Sequence, residues 1–132
     1  MFEKGALYHR RNDIHAKYGG QQQGGISTPA RQDIVLLFTS DTGEQYGYRD
    51  GWSDGVYLYT GEGQYGDMAF RGGNRAIRDH VADGKRLYLF AYERQGVVRC
   101  LGEMVCTGHH MRKAPDLAGN DRNAIVFELM PL

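Results

Sequence analysis

The sequence predicts a mainly β (α+β) fold, a twisted antiparallel β-barrel with two short flanking helices. About six short strand patterns follow one another closely, and the two helix patterns do not alternate with them as in a doubly wound fold. The 19 glycines supply the many tight turns that such a small barrel needs. A chain of 132 residues is long enough for one modest core, so we expect a single domain over residues 1–132.

A short helix is expected near the N-terminus, over residues 11–18. Asn12 is a suitable N-cap, Ile14 and Tyr18 lie four residues apart on one helix face, and Gly19 follows as a stop signal. The next segment, Gly-Gly-Gln-Gln-Gln-Gly-Gly (19–25), has no periodic pattern. It predicts a flexible polar loop.

The middle of the chain predicts three strands. Residues 34–38 are a continuous apolar run, which indicates a buried strand. Residues 46–50 and 56–60 also have strand character, with Tyr57 and Tyr59 at alternate positions. Residues 51–55 are expected to be the loop between these two strands.

The second half predicts one helix and three further strands. After the glycine-rich residues 61–73, Asn74 is expected to cap a helix over residues 75–82, with Ile77 and Val81 on its apolar face. Strands are then expected over residues 86–93, 97–106 and 124–130. The polar segment 108–123 between the last two strands is expected to be a loop.

The charge and the absence of targeting signals restrict the class of protein. A formal net charge of zero argues against unselective coating of nucleic acid, because such binding needs many lysines and arginines to neutralise phosphates. No apolar run approaches the roughly 20 residues of a membrane-spanning helix, and the N-terminal residues do not resemble a signal peptide. We therefore expect no membrane association and a cytoplasmic location, where Cys100 and Cys106 would remain free thiols.

Residues that serve in catalysis or metal binding form no recognisable pattern. His109 and His110 are adjacent, so on a strand they would point to opposite faces, and their spacing from the two cysteines matches no zinc motif. No G-x-S-x-G motif is present. The segment 61–66 fits a G-x-G-x-x-G phosphate loop only loosely, because no helix opens directly after it. We therefore expect no catalytic residue, no metal and no cofactor.

Tyrosines cluster on the neighbouring strands of the middle segment. A flat base needs aromatic faces on both sides and a polar group at its edge, and a carboxylate can accept from the amino group of cytosine. Tyr48, Tyr59 and Asp50 together have these properties. The same tyrosines would equally suit ordinary cross-strand aromatic pairs, so the residues alone leave both interpretations open.

A series of motifs resembles one known family. Gly-Tyr-Arg-Asp (47–50) and Asp-Gly-Val-Tyr-Leu-Tyr-Thr-Gly-Glu-Gly (54–63) are similar to the signature of SRA (SET and RING associated, YDG-type) domains of the PUA-like superfamily. Gly-Gly-Ile (24–26) and Gly-Asn-Arg-Ala-Ile (73–77) resemble two further motifs of that family. The resemblance runs from residue 24 to the C-terminus. It is closest to the SRA-like module of bacterial McrA-type HNH modification-dependent restriction enzymes.

The resemblance implies a DNA-binding barrel that rotates a modified cytosine, 5-methylcytosine or 5-hydroxymethylcytosine, out of double-stranded DNA. Tyr48 and Tyr59 would enclose the base, Asp50 would read its edge, and the backbone of Gly47 and Thr60 would line the pocket. The loop over residues 19–28 would enter the duplex, and Arg71 and Arg75 would hold phosphates. The residues expected to contact DNA are Gln22, Gln23, Ser27, Thr28, Arg71, Asn74 and Arg75.

The chain departs from the family pattern in two places. The long basic segment that follows Tyr-Thr-Gly-x-Gly in eukaryotic members is missing, so a preference for hemimethylated sites is not implied. A one-residue gap leaves Asp54 as an alternative to Asp50 at the base edge.

The resemblance also bears on partners and leaves other functions open. It implies covalent fusion to, or association with, an HNH nuclease domain, while the oligomeric state stays open. The alternative functions are a PUA-like reader of RNA or of phosphorothioate DNA, and an enzyme acting on a modified nucleobase.

Overall fold

The computed structural model describes residues 1–40 and 50–132, and the strands in these ranges form one sheet. The strands are β1 (Leu7–His9), β2 (Ile26–Ser27), β3 (Ile34–Thr39), β4 (Gly51–Ser53), β5 (Val56–Thr60), β6 (Arg86–Arg94), β7 (Val97–Pro115) and β8 (Asp121–Pro131). Their order across the sheet is β2-β3-β6-β7-β8-β5-β4, and β1 pairs with β7 outside this path. The predicted mainly β class is confirmed.

The sheet is twisted but does not close into a complete barrel, because β2 and β4 end the path. Its described pairs are antiparallel with one exception. Strands β3 and β6 run parallel, with Ile34 opposite Arg86. A parallel pair requires a long crossover, and the chain between these strands contains β4, β5 and a helix.

Side chains from both faces of β3 are buried, because each face packs against its own apolar cluster. Val35 and Leu37 point into one cluster, and Leu36 and Phe38 point into the other. This alternation follows from the two-residue period of a strand. The continuous apolar run over residues 34–38 therefore indicated its burial correctly.

The first helical segment begins with a π-helix, Arg10–His15, and continues as α1, Ala16–Tyr18. Its N-cap is His9, whose Nδ1 accepts from the amide of Asn12 at 3.2 Å, so the prediction of Asn12 as the cap is wrong. π-Helical bonding joins residues five apart. Arg10 and His15 are five residues apart and lie on one side of this segment, where Arg10 Nε donates to His15 Nε2 at 2.9 Å.

The second helix, α2 (Gly72–Asp79), begins and ends three residues earlier than predicted. Asn74 lies inside its first turn instead of capping it. Ile77 is fully buried as expected, but Val81 lies beyond the helix and is 62% exposed. None of the helices in the described ranges has the length and apolarity of a membrane span.

The largest difference from the prediction concerns β7 and β8. These strands pair from Met104 opposite Pro131 to Pro115 opposite Asp121, so most of the expected loop over residues 108–123 is strand. Likewise, β4 occupies residues that were expected to form a loop. The long hairpin brings its turn, which includes Leu117, to the edge of the cavity described next.

Candidate functional site

A cavity of about 660 Å³ opens between the loop after α1, the end of β3 and the segment after β5. Pockets that hold small ligands have volumes of roughly 300–1,000 Å³, so this space is of suitable size. The cavity is lined by Arg10, Gln22, Gln23, Gly24, Gly25, Ile26, Phe38, Thr39, Ser40, Asp50, Tyr59, Thr60, Gly61, Glu62, Gly63, Gln64, Tyr92 and Leu117.

Asp50 lies on the cavity wall immediately before β4, and two hydrogen bonds fix its carboxylate. Its Oδ1 accepts from the backbone amide of Thr60 at 2.8 Å, and its Oδ2 accepts from the hydroxyl of Thr39 at 3.1 Å. Burial raises the pKa of Asp50, and these hydrogen bonds oppose the rise. Each carboxylate oxygen can accept a second hydrogen bond, so Asp50 keeps acceptor capacity for a ligand.

The geometry distinguishes between the two acidic residues considered for reading a base edge. Asp54 is exposed in the turn between β4 and β5, with a φ of 50°, and it is not part of the cavity wall. Asp50 is part of that wall. Only Asp50 of this pair is therefore placed to contact a molecule in the cavity.

Tyr59 of β5 borders the same cavity, although its side chain is only 3% exposed. Its hydroxyl lies 2.7 Å from the carbonyl oxygen of Gly25 and 3.0 Å from that of Phe38. Burial, followed by the nearby Asp50 carboxylate, raises the pKa of Tyr59 well above 10.0, so the phenol stays protonated and donates. Tyr59 thereby ties the loop before β2 to the end of β3.

Gly25 and Thr60 complete this part of the wall. A Cβ at Gly25 would lie 2.6 Å from the Tyr59 hydroxyl and 3.3 Å from the Phe38 carbonyl oxygen, so the close approach requires glycine. The hydroxyl of Thr60 is buried and has no hydrogen-bond partner of acceptable geometry among the described residues. Gly47 and Tyr48, the other residues predicted for the pocket, lie outside the described residues and stay predictions.

The loop between α1 and β2 carries Gln22 and Gln23 exposed at the cavity mouth. Gln21 holds the base of this loop, because its side-chain oxygen accepts from the backbone amide of Thr28 at 2.8 Å. Ser27 is fully buried, which gives it a structural position instead of the predicted DNA contact. Thr28 is partly exposed, and its contact with DNA stays a prediction.

The residues predicted around α2 divide into one buried and two exposed. Asn74 is 1% exposed, and its amide bonds to backbone groups of Glu62 and Ala69, so it braces the preceding loop instead of facing DNA. Arg71 and Arg75 are exposed, and Arg75 lies 3.6 Å from the Asp79 carboxylate. The exposed positions leave phosphate contacts by these arginines as a prediction.

Sequence reasoning missed Arg10, Phe38 and Tyr92, which also line the cavity. Phe38 carried a signal for the core only, since it ends an apolar run. Arg10 gave no signal, because an arginine within a polar segment at a helix start normally indicates a solvated surface. In the structure, however, Arg10 is buried, with only 5% of its surface exposed.

His15 accepts a hydrogen bond from Arg10 and therefore has to stay neutral. Its Nε2 accepts from Arg10 Nε, and its Nδ1 donates to the carbonyl oxygen of Gly19 at 2.8 Å. Burial lowers the pKa of His15 below 6.5, and the charge of Arg10 lowers it further, although the bond to Gly19 opposes both effects. Protonation would remove the acceptor and place a second positive charge beside the guanidinium.

We expect the free energy of unfolding to fall as the pH drops below about 6.5. With the folded-state pKa of His15 below the unfolded value, the unfolded chain binds more protons in this window, and the loss levels off below the folded pKa. Urea unfolding between pH 7.5 and 5 measures the effect. The variant His15→Gln should show a smaller decrease; an identical pH profile in both proteins would contradict the assignment.

His109, His110 and the two cysteines are not among the residues that line this cavity. His109 packs against Phe70 with ring centroids 4.8 Å apart, whereas His110 bonds to Glu128 through Nδ1 at 2.8 Å. Across residues 1–40 and 50–132, no three His, Cys, Asp or Glu side chains form a group that could hold a metal ion.

Comparison with known proteins links this architecture to one family. The family model described as "ScoMcrA-like, SRA domain" matches residues 4–132. None of the curated proteins matches the chain in sequence.

Solved structures with the same fold include two that contain ScoMcrA. One holds the sulfur binding domain and SRA domain of ScoMcrA complexed with phosphorothioated DNA, and it matches with a TM-score of 0.78 and 25% identity over 100% of this chain. The other is the Type IV phosphorothioation-dependent restriction endonuclease ScoMcrA, with a TM-score of 0.75 and 25% identity. This chain spans 40% and 28% of those two chains, respectively.

A third solved structure is the SRA domain of SUVH5 in complex with hemimethylated CG DNA. It matches with a TM-score of 0.71 and 17% identity, over 99% of this chain and 89% of that one. At this identity the likeness concerns the fold.

Proposed function

This chain belongs to the ScoMcrA-like SRA domain family, and on that premise we propose that it binds double-stranded DNA containing a modified cytosine. The modified base, 5-methylcytosine or 5-hydroxymethylcytosine, rotates out of the helix and occupies the cavity beside Asp50 and Tyr59. The DNA ligands of the neighbours, methylated for SUVH5 and phosphorothioated for ScoMcrA, support modified DNA as the class of ligand.

The observation that carries the proposal is the fixed carboxylate of Asp50 on the wall of a cavity of about 660 Å³, which is large enough for a base. Its two internal hydrogen bonds hold its direction, and its remaining lone pairs accept from the 4-amino group of cytosine. Thymine presents a carbonyl oxygen at that position, which an ionised carboxylate does not bind. Cytosine therefore fits this wall better than thymine.

Residues at the cavity mouth and around α2 hold the DNA backbone and fill the space that the rotated base leaves in the duplex. Gln22 and Gln23 lie exposed at the cavity mouth, where they reach the space that the rotated base leaves. Arg71 and Arg75 are exposed cations near the start of α2 and bind phosphates. Phosphate contacts position the protein and carry no direct base information.

The biological role that we propose is that of a specificity domain. The chain spans less than half of the ScoMcrA chains that it matches, and we propose that an HNH nuclease domain, fused or associated, cuts the DNA that this domain selects. The domain acts in the cytoplasm and is itself a binding module.

Competition titrations at one fixed salt concentration test the proposed ligand. We expect the protein to bind a duplex with one 5-methylcytosine or 5-hydroxymethylcytosine about tenfold or more tightly than the same plain duplex, since a single base difference typically changes affinity by about this factor or more. The salt concentration has to be matched because the phosphate contacts depend on it.

Two further ligands in the same titration serve as competing outcomes. A phosphorothioate duplex and an RNA of the same sequence should bind no better than plain DNA. Equal affinity for modified and plain duplexes contradicts the proposal, and tighter binding of the phosphorothioate duplex or the RNA assigns the domain to that ligand instead.

A further inference from the structure

Arg10 makes unusual contacts with the loop that borders the cavity. Its Nη1 donates to the carbonyl oxygen of Gly24 at 2.9 Å, and its Nη2 donates to that of Gln21 at 3.1 Å. One planar guanidinium therefore spans the two backbone positions that flank Gln22 and Gln23. Both glutamines are exposed.

The other side of Arg10 is fixed to the body of the domain. Nε donates to His15, and Nη1 also donates to the hydroxyl of Tyr92 at 2.7 Å. The guanidinium carbon lies 3.7 Å from the centroid of the Phe38 ring, which is a cation–π contact. Arg10 thus joins the loop to the π-helix, β3 and β6.

The buried positive charge of Arg10 depends on its hydrogen bonds to the loop. Arg10 is only 5% exposed, yet no carboxylate of the described residues forms an ion pair with it. A buried cation is costly unless its donors are satisfied. The loop carbonyls supply that satisfaction, and hydrogen bonds from a charged donor are roughly twice as strong as neutral ones.

We propose that Arg10 is a positioning residue that holds Gln22 and Gln23 in the arrangement needed to replace the base that leaves the duplex. This inference rests on the proposed function. Ordering the loop before DNA binds lowers the entropic cost of inserting it. Arg10 therefore assists the rotation of the base, while the cavity wall recognises the base after it has rotated.

The experiment separates these two steps with two duplexes. In one, 5-methylcytosine is paired with guanine; in the other, it lies opposite an abasic site, where less pairing energy has to be lost on rotation. We compare Arg10→Gln with Arg11→Gln, which removes the same charge from an adjacent exposed position. Hydrogen–deuterium exchange of the residues 19–25 in the free proteins reports whether the loop is held.

Arg10→Gln should lose about tenfold or more in affinity for the paired duplex and much less for the abasic duplex, because loss of loop insertion matters only where pairing is replaced. Its loop should exchange faster than that of the wild type. Arg11→Gln should match the wild type in both measurements. Arg10→Lys should not restore the paired-duplex affinity, since one ammonium group lacks the planar fork that spans two carbonyls.

Equal losses on the two duplexes, or no loss on either, would overturn this role for Arg10. Unchanged exchange in the loop of Arg10→Gln would overturn it as well. Failure of the proposed function has a different signature: the wild-type protein would then show no preference for the duplex with 5-methylcytosine, whatever the exchange of the loop.

Discussion

Asparagine in place of Asp50 is expected to remove most of the preference for modified cytosine, with a loss of roughly 10- to 100-fold in affinity for the modified duplex. The amide can keep both internal contacts, because its oxygen can accept from the amide of Thr60 while its nitrogen donates to the hydroxyl of Thr39. It loses the negative charge and one acceptor that face the cavity. The change therefore alters recognition more than folding.

Titrations of modified and plain duplexes, together with urea unfolding, measure both consequences for Asp50→Asn. Asp54→Asn is the matched control, because it removes the same charge from the exposed turn between β4 and β5. The control should bind as the wild type does. If Asp50→Asn retains the full preference for modified cytosine while folding normally, Asp50 does not read the base edge.

The class of fold could be predicted because β3 and β5, which each lie one strand in from an end of the sheet, carry strong local signals. The apolar run over residues 34–38 is β3, whose side chains are buried on both faces. The alternating tyrosines over residues 56–60 mark β5, where Tyr57 and Tyr59 point inward. Such signals depend only on neighbouring residues, so one sequence is enough to show them.

The long hairpin of β7 and β8 could not be predicted from local pattern. Arg112 and Lys113 belong to a polar stretch that resembles a loop, yet they pair with Ala124 and Asn123. What makes this stretch a strand is the buried run Ala124–Phe127 on the partner strand. Pairing of this kind depends on residues distant in sequence, which propensity does not report.

The candidate site could be predicted only in part, because some of its residues belong to a sequence motif and others do not. Asp50 and Tyr59 belong to a motif and line one cavity, and Gln22 and Gln23 lie at its mouth. Arg10 belongs to no motif, and its burial depends on a π-helical turn that brings His15 beside it. Ser27 and Asn74 were expected to contact DNA because the resemblance places them in the loop over residues 19–28 and in the motif over residues 73–77. Both side chains are instead buried, where Ser27 bonds to Gln21 and Asn74 bonds to Glu62 and Ala69.

Alanine in place of Tyr59 is expected to lower the free energy of unfolding by about 3–5 kcal/mol and to abolish the preference for modified DNA. The ring is 3% exposed within the main apolar cluster, so its removal leaves a void next to the cavity. Loss of the hydroxyl also frees the loop at Gly25 from the end of β3. Urea unfolding and duplex titration on the same sample measure both effects.

Two matched variants separate the loss of the cavity wall from the loss of stability. Tyr57→Ala removes a similarly buried ring from the same strand, one that packs edge-on against Trp52 at 5.2 Å and lies off the cavity wall. It should be destabilised by a similar amount, yet keep the preference for modified cytosine under conditions where it is folded. Tyr59→Phe keeps the ring and removes only the hydroxyl bonds, so it should retain more of the preference than Tyr59→Ala.

The expected difference between these variants comes from stacking of the rotated base on the ring of Tyr59, since each base–aromatic contact contributes about 1–3 kcal/mol to binding. If the ring of Tyr59 encloses the base, the preference follows the ring: it is present in Tyr57→Ala, largely retained in Tyr59→Phe and absent in Tyr59→Ala. If Tyr59 serves only to pack the core, Tyr57→Ala and Tyr59→Ala lose affinity for modified and plain duplexes in parallel with their stability. A folded Tyr59→Ala protein with undiminished preference would remove Tyr59 from the base-binding wall.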